Sequence, residues 1–252
     1  MYLFDLNDQN AFVTGGNRGL GFGIAEGLCE AGANVIILAS SDSVFASAEK
    51  LRERGFNATG LKGDLSDEKD VEKTFNEVMT LFDGKLDILV NNAGIQRRNR
   101  CEEFLISDWD DVINVNLRSV FQLCQLAGRE MLKNGGGKII NIASMLSFFG
   151  GFTVPAYAAA KGGVAQLTKA LSNEWASKNI NVNAIAPGYM ATEMNTKLIE
   201  DEKRNAEILS RIPAGRWGTS DDIKGLAIFL ASSASDYMSG AVIPIDGGYL
   251  GR

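Results

Sequence analysis

Histidine is absent from this sequence of 252 residues, and proline (four) and cysteine (three) are scarce. Without imidazole, a Ser-His-Asp hydrolase, a His-ligated zinc site and a histidine general base are all excluded. Any proton transfer must therefore depend on Tyr, Lys, Cys or a carboxylate. Cys29, Cys101 and Cys124 are odd in number and widely spaced, which predicts no metal site and favours buried free thiols in a reducing compartment.

Long apolar runs and an excess of positive charge are also lacking. No apolar run approaches the roughly 18 residues of a spanning helix, so no membrane partner is expected. The first residues, Met1 to Asp5, lack the basic region and cleavage site of a signal peptide. The formal net charge of −6 argues against a nucleic-acid partner. Together these absences predict a soluble, cytoplasmic, globular protein.

What the chain does contain is a regular alternation of short apolar segments and amphipathic ones. The segments predicted as strands are Ala11–Thr14, Val35–Ala39, Phe56–Leu61 (the weakest), Leu86–Asn91, Lys138–Ala143, Asn181–Ile185 and Ala241–Ile245. The segments predicted as helices are Gly21–Ala31, Ser43–Arg54, Glu68–Phe82, Trp109–Leu132, Ala156–Lys178 and Asp221–Ala231. Strands that are apolar on both faces are typical of a parallel sheet covered on each side by helices.

This alternation predicts the fold class. We expect a single-domain, doubly wound α/β Rossmann fold over residues 1–252, with about seven parallel strands and helices on both faces. Tyr189–Trp217 breaks the rhythm as a long insertion between the last two strands. Insertions of this length are often functional, so we expect a substrate lid around residues 189–217.

A glycine-rich turn joins the first strand to the first helix. Glycine there permits a sharp turn and a close backbone approach, while the helix N-terminus presents free N–H groups to a pyrophosphate. The position of the turn, directly after a strand and opening a helix, favours a dinucleotide site over an ordinary turn. The cofactor-binding residues predicted in this turn are Thr14, Gly15, Asn17, Arg18, Gly19, Leu20 and Gly21.

Further motifs follow in order along the chain. They are Asn91-Asn92-Ala93-Gly94 after the fourth strand, Asn116 in the next helix, Ser144 at the end of the fifth strand, Tyr157-x-x-x-Lys161 and Pro187-Gly188. With the TGxxxGxG spacing of the glycine turn, this series resembles the short-chain dehydrogenase/reductase family over essentially the whole chain. The resemblance implies a nicotinamide-dependent oxidoreductase.

Tyr157 and Lys161 are the candidate proton-transfer pair. Four residues apart on a helix, they share one face, and a nearby ammonium favours the phenolate form of a tyrosine. We therefore expect Lys161 to lower the pKa of Tyr157, and Ser144 to stabilise charge on the reacting oxygen. The family resemblance implies that Asn116 anchors a water for proton relay and that Lys161 also holds the nicotinamide ribose. An ordinary solvated Tyr–Lys helix pair is the structural alternative.

The second strand ends without the acidic residue that an NAD site places near the ribose, and offers Ser40 and Ser41 instead. Arg18 could pair with a 2′-phosphate, so NADP(H) is favoured and NAD(H) remains possible. Asp64 matches a family position near the adenine, although it could instead cap the following helix. The family pattern places these further residues at the cofactor: Asp64, Leu65, Asn91, Ala93, Gly94, Tyr157, Lys161, Pro187, Gly188, Met190 and Thr192.

Later segments resemble the sugar-acid dehydrogenases of this family, which implies a small sugar-acid substrate and a homotetramer. A basic cluster after the fourth strand could bind the carboxylate, or could be solvated or lie in a subunit contact. The predicted substrate residues are Gln96, Arg97, Arg98, Ser144, Met145, Tyr157 and Met194. A 3-oxoacyl thioester reductase, with Arg129 and Lys133 as a weak basic patch, and a non-catalytic dinucleotide-binding regulator remain as alternatives.

Overall fold

One parallel sheet forms the centre of the molecule. The computed structural model describes residues 2–251, except for the side chains of Tyr2 and Met194. Within that part of the chain seven strands pair in the order β3-β2-β1-β4-β5-β6-β7. They are β1 (Asn10–Thr14), β2 (Asn34–Ala39), β3 (Ala58–Lys62), β4 (Ile88–Asn91), β5 (Gly137–Ile142), β6 (Ile180–Pro187) and β7 (Val242–Ile245). The predicted doubly wound Rossmann sheet is confirmed.

Helices cover both faces of this sheet. They are α1 (Gly19–Glu30), α2 (Ser43–Glu53), α3 (Glu68–Leu81), α4 (Ile106–Ile113), α5 (Ser119–Asn134), α6 (Pro155–Trp175), α7 (Thr196–Glu200), α8 (Glu202–Leu209) and α9 (Ser220–Ala231). Alternate residues of each strand serve the two layers, because successive side chains of a strand point to opposite faces. Val35 and Ile37 pack with α1, α2 and α9, whereas Ile36 and Leu38 pack with α3, α5 and α6.

The order of the strands positions the site. From β1 the chain adds β2 and β3 on one side of the sheet and then returns to add β4 on the other side. The parallel neighbours β1 and β4 are therefore the topological switch point. Ligands of open α/β sheets bind in the crevice at the carboxyl ends of the strands beside such a switch point. The glycine turn after β1, the Asn-Asn-Ala-Gly turn after β4 and Ser144 after β5 therefore meet at one edge.

Two predictions of local structure need correction. The helix expected over Trp109–Leu132 is divided into α4 and α5 by a π-helical turn at Asn114–Arg118, a feature that recurs at functional sites. Among the cysteines, Cys29 and Cys124 are buried, but Cys101 is exposed and not the buried thiol that was expected. Within residues 2–251, no helix combines the length and apolar character needed to cross a membrane.

Candidate active site

The glycine turn is held by close backbone packing. Gly15 and Gly19 adopt positive φ values of 64° and 53°, a region that favours glycine. A Cβ on Gly21 would clash with the carbonyl oxygen of Gly15 and the side-chain amide of Asn92. The first bond of α1 joins Phe22 N to the Arg18 carbonyl at 3.2 Å. The amides of residues 19–21 thus lie outside the helical ladder, in position for a phosphate.

Asn92 and Thr14 tie the glycine turn to the end of β4. The Asn92 amide donates to the carbonyls of Thr14 and Gly15 at 3.0 and 3.1 Å. The buried Thr14 hydroxyl accepts from the backbone amides of Asn92 and Ala93. The Thr14 side chain therefore acts as a structural tie, and the cofactor contact predicted for Thr14, which its backbone could make, stays a prediction. Asn92 was missed as a site residue although it lies inside a quoted motif.

The end of β2 carries a polar cluster on the route expected for the adenosine ribose. Asn17 Nδ2 donates to Ser43 Oγ at 2.8 Å, and the Ser41 and Ser43 hydroxyls are also 2.8 Å apart. Ser43, two residues beyond Ser41, is a candidate site residue that the sequence reasoning missed. The exposed Ser40 adjoins this cluster. Arg18 instead forms an ion pair with Glu193 at the start of the lid.

Asp64 and Leu65 follow β3. The Asp64 carboxylate accepts from the backbone and hydroxyl of Ser66. Asp67 is the residue that caps α3, through Lys69 N at 2.8 Å. The capping alternative for Asp64 is therefore wrong, while its role at the adenine stays a prediction. Leu65 is buried in the core layer of α3, α5 and α6, so that only its backbone could contact a cofactor.

Asn91 turns its side chain into the protein core. Its amide donates to Asn141 Oδ1 at 2.9 Å and to Cys124 Sγ at 3.3 Å, and the Asn141 amide donates in turn to Thr168. All four residues are buried. The Asn91 side chain thus braces β4, β5, α5 and α6, so that only the backbone of Asn91 could make the predicted cofactor contact, which stays a prediction. Ala93 and Gly94, one step further along, are partly exposed at the sheet edge.

Ser144, Tyr157 and Lys161 come together as predicted from their spacing. Ser144 follows β5, where its hydroxyl accepts from Leu146 N at 3.1 Å. Tyr157 lies in the first turn of α6, and its hydroxyl shares a hydrogen bond with that of Ser144. Lys161, one turn later, places Nζ 5.6 Å from the centre of the Tyr157 ring. The three groups form one polar site at the carboxyl edge of β5.

The electrostatics of this group differ from the expectation. Burial raises the pKa of Tyr157, and the hydrogen bond with Ser144 and the positive charge of Arg98 only partly oppose that rise. Burial also lowers the pKa of Lys161 to about 8. Lys161 Nζ donates to the Ile142 carbonyl at 2.5 Å. The ammonium is therefore hydrogen-bonded to the backbone of β5. In this state the desolvation of Tyr157 outweighs the expected effect of Lys161.

Asn116 lies in the π-helical turn between α4 and α5. Its side chain accepts from Ile95 N at 2.8 Å and donates to the Ile95 carbonyl at 2.9 Å. The residue is fully buried, and its oxygen is the nearest neighbour of a Cβ built on Gly94. Asn116 thus fixes the loop that follows β4. Its water-anchoring role remains a prediction.

The basic cluster after β4 divides into two unequal arginines. Arg97 is paired with Asp108 at 3.5 Å and Asp111 at 3.1 Å, both on α4. Among residues 2–251 Arg98 has no carboxylate in an ion pair with it, and it donates to Gln96 Oε1 at 2.8 Å. Because the charge of Arg98 acts on Tyr157, Arg98 faces the catalytic group. The structure thus separates two residues that the sequence could not rank.

Four aromatic rings line the mouth of the site, and the sequence reasoning passed over them. Tyr189 meets Trp217 edge-on at 5.4 Å, and Tyr249 lies 5.6 Å from Tyr189 and 5.8 Å from Phe149 between ring centres. They come from the segments after β5, β6 and β7 and from the end of the insertion. Three of the four could have been noticed in the sequence, because Phe149, Tyr189 and Tyr249 follow the carboxyl ends of β5, β6 and β7, where ligands bind in such folds.

The predicted lid, residues 189–217, is closed at its base. Met190 and Gly218 form a parallel bridge, and Arg216 makes a bidentate ion pair with Asp222 at 2.7 Å in α9. Met190 is buried against Gly218, and Met145 is buried below Ser144, so neither presents much surface to a ligand. The Met194 side chain lies outside the described residues. A cavity of about 220 Å³ lies behind Tyr189.

Comparison with known proteins shows the family of this chain. A family model described as enoyl-(acyl carrier protein) reductase matches residues 15–250. The chain belongs to the short-chain dehydrogenase/reductase family, as its motifs predicted. It is 50% identical to the 2-dehydro-3-deoxy-D-gluconate 5-dehydrogenase of Bacillus subtilis, over 99% of this chain and 97% of that protein.

Two gluconate enzymes are also similar. Identity to the gluconate 5-dehydrogenase of Gluconobacter oxydans is 40%, over 98% of this chain and 96% of that protein. The crystal structure of a gluconate 5-dehydrogenase from Burkholderia cenocepacia in complex with NADP and tartrate superposes with a TM-score of 0.95 at 41% identity. That match covers 99% of this chain and 98% of the other. These likenesses concern the entire fold, including the lid.

Proposed function

We propose that this protein is an NADP(H)-using dehydrogenase of a sugar acid. The reaction is hydride transfer between the nicotinamide and a secondary alcohol or ketone of 2-dehydro-3-deoxy-D-gluconate or 2-deoxy-D-gluconate, in uronate breakdown. The observation that carries the proposal is the Ser144–Tyr157 hydrogen bond with Lys161 beside it, on the same sheet edge as the glycine turn. The relative from Bacillus subtilis, named for such a substrate, supports it.

The glycine turn fits a dinucleotide. A Cβ on Gly21 would fill the space over Gly15, and the amides of residues 19–21 are oriented to bind a pyrophosphate. Asn17, Ser41 and Ser43 supply donors for a 2′-phosphate, and a similar protein was crystallised with NADP. Pro187, Gly188 and Thr192 border the nicotinamide end. When bound, the nicotinamide supplies or accepts the hydride.

Tyr157 handles the proton. Its raised pKa keeps the phenol protonated at neutral pH, which is the form that donates a proton to a ketone oxygen during reduction. Ser144 donates a second hydrogen bond to that oxygen and stabilises its developing charge. Lys161 lies beside Tyr157 with a lowered pKa, so that it exchanges protons near neutral pH and restores the phenol. Asn116 holds the neighbouring backbone in place.

Arg98 is the proposed partner of the substrate carboxylate. In an extended six-carbon acid, C1 and C5 are separated by four C–C bonds, or about 5 Å. A group that binds the carboxylate must therefore lie near Tyr157 without touching the reacting carbon. Arg98 meets this condition because its charge acts on both Tyr157 and Tyr189. Arg97 does not, since Asp108 and Asp111 already neutralise it.

The same proposal includes the setting of the enzyme. Residues 1–252 act as one catalytic domain, residues 189–217 cover the substrate, and the protein works in the cytoplasm as a homotetramer. Exposed apolar side chains on and beside α4 and α5 suit the burial of these helices between subunits. They include Leu105, Ile106 and Phe121. Light scattering of the purified protein tests the tetramer directly.

A substrate panel tests the reaction. Purified enzyme is assayed for oxidation of 2-dehydro-3-deoxy-D-gluconate, 2-deoxy-D-gluconate and D-gluconate with NADP⁺ or NAD⁺, and for reduction of 5-ketogluconate and an acetoacetyl thioester. The highest kcat/KM is expected for the first two acids with NADP⁺. Preference for D-gluconate or 5-ketogluconate would shift the assignment to a gluconate 5-dehydrogenase, which the relative from Gluconobacter oxydans makes the second candidate. Preference for the thioester would overturn the sugar-acid proposal.

A further inference from the structure

Tyr189 occupies a central position at the mouth of the site. Its ring is held between Trp217 at 5.4 Å and Tyr249 at 5.6 Å. Trp217 is fixed in turn, because its indole N–H donates to Asn205 Oδ1 of α8 at 2.8 Å. Tyr189 thus connects the end of β6 with both ends of the predicted lid, and it is partly buried.

Three guanidinium groups surround Tyr189. Arg98 comes from the loop after β4, whereas Arg204 and Arg211 belong to the lid, in α8 and directly after it. All three charges act on the Tyr189 hydroxyl. The pKa of Arg98 is lowered, chiefly by burial and in part by the charge of Arg204. Glu207 offsets the charge of Arg204, so an anion bound beside Tyr189 would be held by Arg98 and Arg211.

The lid arginines differ in what neutralises them. Arg216 is paired with Asp222 at 2.7 Å, and Arg204 with Glu207 at 3.0 Å. Within residues 2–251, neither Arg98 nor Arg211 has a carboxylate oxygen within 4 Å. Arg211 instead lies close enough to the Tyr249 hydroxyl that this group raises the pKa of Arg211. Glu207 acts on Arg211 only as the smallest of the causes that shift its pKa. Arg98 and Arg211, neither of them in an ion pair within that range, thus both act on Tyr189, one from the body of the protein and one from the lid.

We propose that Arg211 is a second carboxylate-binding residue, which with Arg98 holds the carboxylate of the substrate between the loop after β4 and the lid. This assignment rests on the proposed function and adds to it the residue through which the lid recognises an acid. Arginine suits the role because its planar fork binds a carboxylate in two parallel hydrogen bonds. A neutral polyol would lack this contact and would leave the two charges unrelieved.

Equilibrium binding tests the assignment without turnover. D-gluconate is titrated into the NADPH-saturated enzyme, a pair that cannot react, and binding is followed by calorimetry. Arg211→Gln is expected to weaken the affinity for gluconate at least tenfold, whereas Arg204→Gln, whose partner is Glu207, should change it less than threefold. Arg211→Lys should recover part of the affinity. Unchanged affinity in Arg211→Gln, or an equal loss in both Gln variants, would overturn the assignment.

Kinetics with matched ketones separate charge recognition from a structural defect. L-sorbose is 5-ketogluconate with its carboxylate replaced by a hydroxymethyl group. In Arg211→Gln the KM for 5-ketogluconate should rise at least tenfold with kcat changed less than threefold, while both parameters for L-sorbose stay within twofold. Equal losses on both ketones would contradict carboxylate binding. A wild-type enzyme that binds no sugar acid would instead overturn the proposed function, and this assignment with it.

Discussion

The two ends of the candidate site are built in different ways. At the cofactor end, the glycine turn is positioned by backbone atoms and by buried side chains such as Thr14 and Asn92, and even one added carbon at Gly21 would clash. At the proposed substrate end, exposed arginines and a group of aromatic rings are the side chains available for contacts. The Ser144–Tyr157–Lys161 group lies between the two, with Lys161 buried and Ser144 and Tyr157 partly exposed.

This difference shows how one fold can keep its cofactor and change its substrate. Close packing makes the cofactor end intolerant of substitution, because any added atom must displace backbone. The substrate end is built from side chains at the ends of β4, β6 and β7 and in the lid, where replacement alters recognition without disturbing the sheet. Substitutions in the buried parts should therefore abolish function or change stability, whereas those at the rim should shift specificity.

The largest effect is expected at the buried centre. Tyr157→Phe removes the hydroxyl that transfers the proton but keeps the ring, so kcat should fall about 1,000-fold or more. The dissociation constant for NADPH, measured by fluorescence titration, should change less than threefold. A variant that retains a tenth of the wild-type rate would show that the proton is transferred by another group.

Lys161 should reveal the energetic cost of this burial. Its pKa is about 8 in the folded protein and near 10.5 in the unfolded chain, so below pH 8 folding must bury a charge. Between pH 8 and 10.5 the unfolded state binds more protons, and stability rises with pH. Lys161→Met should therefore be more stable than wild type at pH 7, by up to about 3 kcal/mol.

Urea unfolding of both proteins at several pH values provides the measurement. The advantage of Lys161→Met should shrink as the pH rises from 8 toward 10, because the wild-type lysine loses its proton in that range. A difference between the two proteins that stays constant over this range would show that Lys161 carries no charge penalty in the fold.

Gly21→Ala tests the packing of the cofactor end. The new methyl group would meet the Gly15 carbonyl and the Asn92 amide, so that unfolding should become easier by about 2 kcal/mol and NADPH affinity should fall at least tenfold. Gly225→Ala in α9 is the matched control, since no atom lies within 4 Å of its added carbon. Equal stability of the two variants, measured by thermal unfolding, would contradict tight packing at Gly21.

The smallest effect is expected at the exposed ion pair between Arg18 and Glu193. Arg18 and Glu193 are both about two-thirds exposed, and such pairs add little stability. Arg18→Ala should lower the ratio of NADPH to NADH catalytic efficiency about tenfold, because a 2′-phosphate loses one charged partner. Glu193→Gln frees Arg18 and should raise this ratio about twofold. A ratio that neither variant changes would exclude Arg18 from cofactor discrimination.

Much of this architecture could be predicted, because strand periodicity and short motifs are local properties of the chain. The directions of the Asn91 and Thr14 side chains could also have been predicted from the sequence. Asn91 has the same parity in β4 as Leu89, and Thr14 the same parity in β1 as Phe12. Leu89 and Phe12 both face the layer of α3, α5 and α6. Counting along the strands would have placed the Asn91 and Thr14 side chains in the core.

Other features depend on contacts between distant parts of the chain. The Arg18–Glu193 pair joins residues 175 positions apart, and Tyr249 meets Phe149 from the far end of the sequence. The preference for Arg98 over Arg97 follows from the position of α4, which supplies Asp108 and Asp111. The pKa of Tyr157 depends on how deeply the folded protein buries the phenol. No local pattern encodes these facts.

The contact between α1 and α9 bears on how the protein is synthesised. Gly23 of α1 lies so close to Ser220 that a Cβ there would be 2.6 Å from the serine Cβ, and Gly27 packs against Lys224 of α9. The helix that begins at the phosphate turn is therefore covered by residues translated some 200 positions later. Since chains emerge from the ribosome N-terminus first, α1 must wait for α9 to leave the exit tunnel. The phosphate turn at the start of α1 therefore gains its final packing, and with it a complete NADP(H) site, only after nearly the whole polypeptide has left the ribosome.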